Sequence, residues 1–174
     1  MGIKHRITGT DVDFAFRKTI NITPAFLKEH NIYGLILDVD NTLTTDENLA
    51  PAEGIPEWVE DMKNEHIRLV IVSNNNARRV RPLAEKLGLP FVAKGAKPLK
   101  KGYEKAMEIM GLHHTRVAAV GDQLFTDIWG AKHSKVRSIY VAPMMIEGKD
   151  KRFILFKRKL EKPFLPEKFT DDGE

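Results

Sequence analysis

Regularly spaced aliphatic runs constrain this chain more than any other feature of its sequence. The stretches 33–39, 67–73, 115–120 and 136–141 are too short for buried helices, and they are apolar without alternation, as strands covered on both faces are. A weaker run at 91–93 reads as a short edge strand. Helical periodicity fills the gaps at 55–65, 77–87, 101–110 and 124–132, and Gly88 and Gly111 follow two of these segments directly as C-terminal caps. Strand and helix in alternation predict an α/β fold whose mostly parallel sheet has helices on both faces. In such sheets ligands bind beyond the carboxyl ends of the strands. Three of the runs become polar there: at Asp38 and Asp40, at Ser73-Asn74-Asn75, and at Gly121-Asp122.

With 174 residues, everything must fit around one core. There is no cysteine, which excludes a disulfide scaffold, zinc-thiolate sites and thiol catalysis. The basic N-terminus leads into no apolar signal core, and no run approaches the roughly 18 apolar residues of a membrane span. An intracellular soluble body is therefore expected. The formal charge is +4, but it is concentrated: residues 147–168 hold eight Lys/Arg against four Asp/Glu, and Asp171-Asp172-Gly173-Glu174 reverse the sign. The expected organisation is an amphipathic N-terminal extension at 1–31, a catalytic core at 32–143, and a basic amphipathic segment with an acidic tail at 144–174. In the last part, Phe153, Phe156 and Leu160 stand at helical spacing against Lys151, Arg152, Arg158, Lys159 and Lys162. The six histidines show no metal-ligand spacing, and Trp58, Trp129 and the internal methionines read as packing residues. Neither a P-loop nor a dinucleotide fingerprint is present.

The segment Asp38-Val39-Asp40-Asn41-Thr42-Leu43-Thr44 places two acids where a strand gives way to a loop. A carboxylate that attacks phosphorus needs a divalent cation to quench charge repulsion and a second acid to protonate the departing alkoxide. Asp38 suits the first task and Asp40 the second, with Thr42 in support. Asp122 adds a third carboxylate, so that Asp38, Asp122 and a backbone carbonyl of Asp40 would hold Mg²⁺. Asp127 would either bind a water or orient a lysine. Ser73 and Asn74 offer side-chain and backbone donors to phosphate oxygens. Lys97 would neutralise Asp38 and the transferring phosphoryl group; Lys94, Lys100 and Lys101 are nearby alternatives, but only Lys97 precedes a proline that fixes the backbone.

The four motifs Asp38 to Thr44, Ser73-Asn74-Asn75, Lys97-Pro98 and Gly121 to Asp127 occur in this order, and over roughly 32–143 the chain resembles the haloacid dehalogenase superfamily of phosphatases. The resemblance implies a three-layer Rossmann-like fold with sheet order 5-4-1-2-3. It also implies a phosphoaspartyl intermediate on Asp38, acid/base work by Asp40, phosphate contacts from Ser73 and Lys97, and Mg²⁺ on Asp38 and Asp122. Only 32 residues separate Asp40 from Ser73 and 48 separate Ser73 from Asp122, so neither gap holds a large cap domain. In this superfamily caps enclose small metabolites, and a bare site suits a phosphate on something large or one closed by a partner.

In Thr23-Pro24 ahead of the first strand, in the Ser73-Asn74-Asn75 signature and in total length the chain is more narrowly similar to the YqeG-like group of subclass IIIA, which includes phosphatidylglycerophosphate phosphatases. That similarity implies a phospholipid substrate and a cytoplasmic protein lying on the inner face of the membrane. A basic amphipathic segment provides a physical means, with each Lys/Arg worth about 1 kcal/mol near an anionic surface. Residues 151–162 fit this description, assisted by 20–27. The alternatives are a capless phosphatase of other macromolecular or small phosphomonoesters, and a non-hydrolytic receiver-like or interaction module. No interleaved aromatic platform for bases is visible, so no nucleic-acid partner is expected.

Overall fold

Gly34-Leu35-Ile36-Leu37 contains no polar side chain, and all four residues are buried. Leu35 and Leu37 point into one apolar layer and Ile36 into another, as the two-residue period of a strand requires. The same division holds for Leu69 and Ile71 against Val70 and Val72, and for Ala118 and Val120 against Val117 and Ala119. The sheet is therefore packed on both sides.

The computed structural model of the protein describes residues 12–45, 50–144, 156 and 159–172. The strands are β1 (Phe14–Phe16), β2 (Gly34–Leu37), β3 (Arg68–Val72), β4 (Phe91–Val92), β5 (Val117–Gly121) and β6 (Arg137–Val141). The helices are α1 (Pro24–Glu29), α2 (Ile55–Asn64), α3 (Ala77–Leu87), α4 (Lys100–Met110) and α5 (Trp129–His133). All strand pairs are parallel, in the order β1-β6-β5-β2-β3-β4. Helices α2 and α3 bury Trp58, Met62, Val80 and Leu83 on one face together with Leu27 of α1, while α4 and α5 bury Tyr103, Ala106, Met110 and Ala131 on the other. This is the expected three-layer architecture.

The five expected strands keep the order 5-4-1-2-3, and a sixth strand is added outside β6. Phe14-Ala15-Phe16 is too short to announce itself by periodicity, yet it pairs with Ile139-Tyr140-Val141. The described residues before β2 accordingly contribute to the core. Ile22 and Leu27, expected to help at a membrane, are fully buried, and of the large apolar side chains in 20–27 only Ile20 is exposed. Trp129, read as a packing residue, is also exposed.

Residues 170–172 lie along the outer edge of β1. Thr170 donates its backbone N–H to Ala15 O (2.6 Å), and the Thr170 hydroxyl accepts from Ala15 N (3.1 Å). Asp171 accepts from Arg17 N (3.2 Å) and Asn21 Nδ2 (2.5 Å), and Arg17 Nε donates to Asp172 (2.7 Å). Phe164, Leu165 and Phe169 pack against a small cluster of Ala15, Leu124, Ile128 and Tyr140. An edge strand with unpaired N–H and C=O groups invites foreign strands, and this strap covers it. Of the basic stretch 151–162, Phe156 and Leu160 are exposed, whereas Phe153, Arg158 and most of the remainder lie outside the described residues.

Candidate active site

The polar ends of β2, β3 and β5 lie side by side because these three strands are neighbours in the sheet. Asp38 directly follows β2 and is fixed to β5 by its N–H, which donates to Val120 O (3.0 Å). Ser73 follows β3, with its N–H on Val92 O (3.0 Å), and its hydroxyl accepts from Asn75 N (3.1 Å). Asp122 follows Gly121, the last residue of β5. Asp38, Ser73 and Asp122 are all buried.

Asp127 arrives from a π-helical turn, Leu124–Ile128, in place of the regular helix expected over 124–132. The extra residue in the turn directs Asp127 back toward the sheet, where its carboxylate lies against Gly121; a Cβ there would collide with it. Tyr103 braces the turn from below, its hydroxyl 3.1 Å from Thr126 O and 3.2 Å from Asp127 O. Burial, and the Asp127 carboxylate beside it, push the Tyr103 phenol well above its usual range, so it stays a neutral prop.

Lys97 reaches this cluster from the loop before α4. Gly95 and Gly102 meet so closely that a Cβ on Gly102 would clash with the Gly95 backbone, which draws the loop onto β3. The Lys97–Pro98 peptide is cis. The Lys97 ammonium donates to Asp38 Oδ1 at 2.5 Å and to Asp127 Oδ1 at 2.6 Å, with all three side chains almost wholly buried. Burial alone would lower the Lys97 pKa, but Asp127 and Asp38 outweigh it and raise it. Lys97 is therefore a permanent cation, and of the four candidate lysines it is the one in the site.

Asp38, Asp122 and Asp127 can each present a carboxylate oxygen within 4.8 Å of the others. Three buried acids stand together, and the Lys97 ammonium is bonded to two of them, Asp38 and Asp127. Burial and the nearby Asp127 push Asp38 up to about 7 against the pull of Lys97, which marks a carboxylate short of positive charge. An all-oxygen donor set with excess negative charge fits a hard divalent cation. Asp127 is already committed, with Oδ1 on Lys97 and Oδ2 on Gln123 N (3.2 Å). The ion-facing carboxylates would then be Asp38 and Asp122, and Asp127 is the lysine-orienting acid, one of the two roles left open by the sequence.

Other candidates sit differently from expectation. The Asn74 side chain faces the Lys97 peptide, not a phosphate: its Oδ1 accepts from Lys97 N (2.7 Å) and its Nδ2 donates to Lys97 O (3.1 Å). Asn74 thus positions the lysine. The Asp40 carboxylate takes no part in the acidic cluster, so only its backbone carbonyl remains as a metal donor. It is held at the mouth of the site by Asn75 Nδ2 (3.1 Å), from the Ser73-Asn74-Asn75 motif, and by Arg79 Nη2 (3.0 Å), a residue the sequence did not single out. Thr42 lies wholly buried in the turn after Asp40; its carbonyl accepts from Thr19 Oγ1 (2.7 Å), and its hydroxyl has no partner among the described residues.

Residues 29–135 match the haloacid dehalogenase-like hydrolase family. A protein of Bacillus subtilis (strain 168) named Probable phosphatase YqeG is 38% identical over 149 residues, 86% of each chain. This chain belongs to the haloacid dehalogenase-like hydrolases. Among solved structures, an uncharacterized protein from Listeria monocytogenes serotype 4b is similar with a TM-score of 0.53 and 16% identity, over 74% of this chain and 99% of that one. CbbY from Rhodobacter sphaeroides, solved in complex with phosphate, is similar with a TM-score of 0.52 and 17% identity, over 68% of this chain and 89% of its own. At these identities the likeness is one of fold. It shows that these proteins share the fold whose sheet carries the acidic cluster on its rim here.

Proposed function

We propose that this haloacid dehalogenase-like phosphatase is a Mg²⁺-dependent phosphomonoesterase working through Asp38, with phosphatidylglycerophosphate as substrate and phosphatidylglycerol as product. The observation behind the reaction is the convergence of the Asp38, Asp122 and Asp127 carboxylates at the carboxyl ends of the strands, with a buried ammonium bonded to Asp38 and Asp127. An Asp38 oxygen attacks phosphorus as the bond to the leaving oxygen breaks, and Asp40 gives that oxygen its proton. Water then attacks the aspartyl phosphate, Asp40 takes the water's proton, and Asp38 is regenerated with release of inorganic phosphate. Held by Asp38, Asp122 and the Asp40 carbonyl, Mg²⁺ would offset the charge between nucleophile and phosphoryl oxygens. Lys97 adds a fixed positive charge beside Asp38, and Ser73 keeps a hydroxyl proton to donate to a phosphate oxygen.

Two features support a lipid substrate. Between β2 and β3 the described residues form one helix and short loops, and the four undescribed residues 46–49 are too few to be a cap domain. Leu99 and Trp129, each two residues from a side chain of the site, are exposed large apolar groups, and Lys100, Lys101 and Lys132 beside them are exposed cations. Apolar anchors ringed by lysine suit an anionic bilayer. The decisive experiment measures Mg²⁺-dependent phosphate release across phospholipid monophosphates, sugar phosphates and phosphopeptides. Phosphatidylglycerophosphate in vesicles is expected to give the highest kcat/KM. A soluble phosphate ester turned over faster would overturn the lipid assignment, and absence of release from every substrate would overturn the phosphatase reading.

A further inference from the structure

Both oxygens of the proposed proton donor are occupied: Asp40 Oδ1 by Arg79 and Oδ2 by Asn75. Each oxygen still has a second lone pair, but a guanidinium on Oδ1 binds the ionised carboxylate, so an Asp40 that carries a proton for the leaving oxygen competes with this bond. Asn75 is on the short loop after β3, and its own carbonyl is fixed by Lys94 N (2.8 Å). Arg79 is the freer partner, a long side chain on the first turn of α3 with 40% of its surface exposed. An ion pair between two such exposed groups is weak and exchanges readily for another anion.

Position determines which anion. The leaving alcohol must lie beside Asp40, and the Arg79 guanidinium is 3.0 Å from Asp40 Oδ1 on the solvent side. A planar fork of donors there faces whatever group the leaving alcohol bears. The other cation of the site, Lys97, is committed to Asp38 and Asp127 on the phosphoryl side, so the two positive charges address opposite ends of the substrate.

We infer that Arg79 forms a subsite for a second anionic group on the leaving alcohol, and that binding this group draws the guanidinium off Asp40 and frees its carboxyl for proton transfer. The inference rests on the phosphatase reading and narrows its substrates to phosphomonoesters whose alcohol carries a phosphodiester or a second phosphate. The same anion is thus both a recognition element and the trigger that releases the acid.

The test compares kcat/KM for substrates with matched reacting ends: glycerophosphoglycerol phosphate for the diester, 1,3-propanediol bisphosphate for the second phosphate, and 3-hydroxypropyl phosphate with neither. Each is assayed with Mg²⁺ on the full chain, wild type and Arg79→Ala, Arg79→Lys and Arg79→Gln. The wild type is expected to favour at least one doubly anionic substrate over the neutral one. Arg79→Ala should reduce that preference by roughly ten- to a hundredfold, the value of a hydrogen bond between charged partners, with Arg79→Lys in between. Whichever anionic substrate loses more identifies diester or phosphate as the natural group. A preference ratio unchanged in Arg79→Ala and Arg79→Gln, while the wild type hydrolyses all three, overturns the subsite alone. No hydrolysis by the wild type overturns the phosphatase reading and the subsite with it.

Discussion

Two clusters of aspartates in this molecule pair with basic side chains, and they differ in almost every physical respect. At the rim of the sheet, Asp38 and Asp127 grip Lys97 in near-complete burial. Along the edge of β1, Asp172 pairs with Arg17 in the open, their side chains 37% and 58% exposed. The contact distances are similar, 2.5 and 2.6 Å against 2.7 Å, so distance is not what separates them. Water does. It screens the outer pair, whereas the inner acids lack solvent and must be neutralised by the protein or by an ion.

Substitution at equivalent chemistry should break the two clusters unequally. Asp38→Asn is expected to lower turnover by about three orders of magnitude or more, the scale of losing a covalent nucleophile, while the melting temperature holds because burial already disfavours that charge. Hydrolysis of an aryl phosphate and a thermal melt check both halves. Next comes Lys97→Met, which leaves Asp38 and Asp127 facing each other without a cation. A loss of about 3–5 kcal/mol in chemical denaturation is expected, and a smaller loss would show that water enters the cluster.

Mg²⁺ acts on the inner cluster alone. At a hundredfold excess over its Kd it should stabilise the wild type by about 2.7 kcal/mol, and Asp122→Asn should remove the gain; a gain that survives would place the ion elsewhere. The smallest effect is expected from Asp172→Asn. Its hydrogen bond from Arg17 holds the Asp172 carboxyl below the usual range, so what the pair contributes is present above that range and fades as pH falls through the lowered value. Melting curves of the wild type and this variant should therefore converge in acid, and their divergence there would reverse the assignment.

Much of the core was legible because its signals are local. Val-Ile-Val before Ser73 and Val-Ala-Ala-Val before Gly121 can hardly be anything but buried strands, and Gly88 and Gly111 take the left-handed conformation that ends α3 and α4. Asp38, Asp122 and Lys97 could be singled out because each adjoins such a strand or a proline. Arg79 could not. It stands among Arg78 and Arg81 on the same helix, and only the pitch of α3 selects the one that meets Asp40. The role of Asn74 was likewise hidden, since a side chain facing a neighbouring loop and one facing a phosphate have the same sequence. Strand β1 escaped for a related reason: a three-residue strand has no periodicity, and its pairing with β6 and Thr170 is set by partners more than a hundred positions away.

That last contact has a consequence for biogenesis. Ala15 and Thr170 are 155 positions apart, so the edge of the sheet stays open on the ribosome until Thr170 has been made. During that interval the exposed backbone of β1 is a target for pairing with a neighbouring nascent chain. The acidic strap acts as a latch that shuts late, and its removal should show first as poor yield of soluble protein in cells.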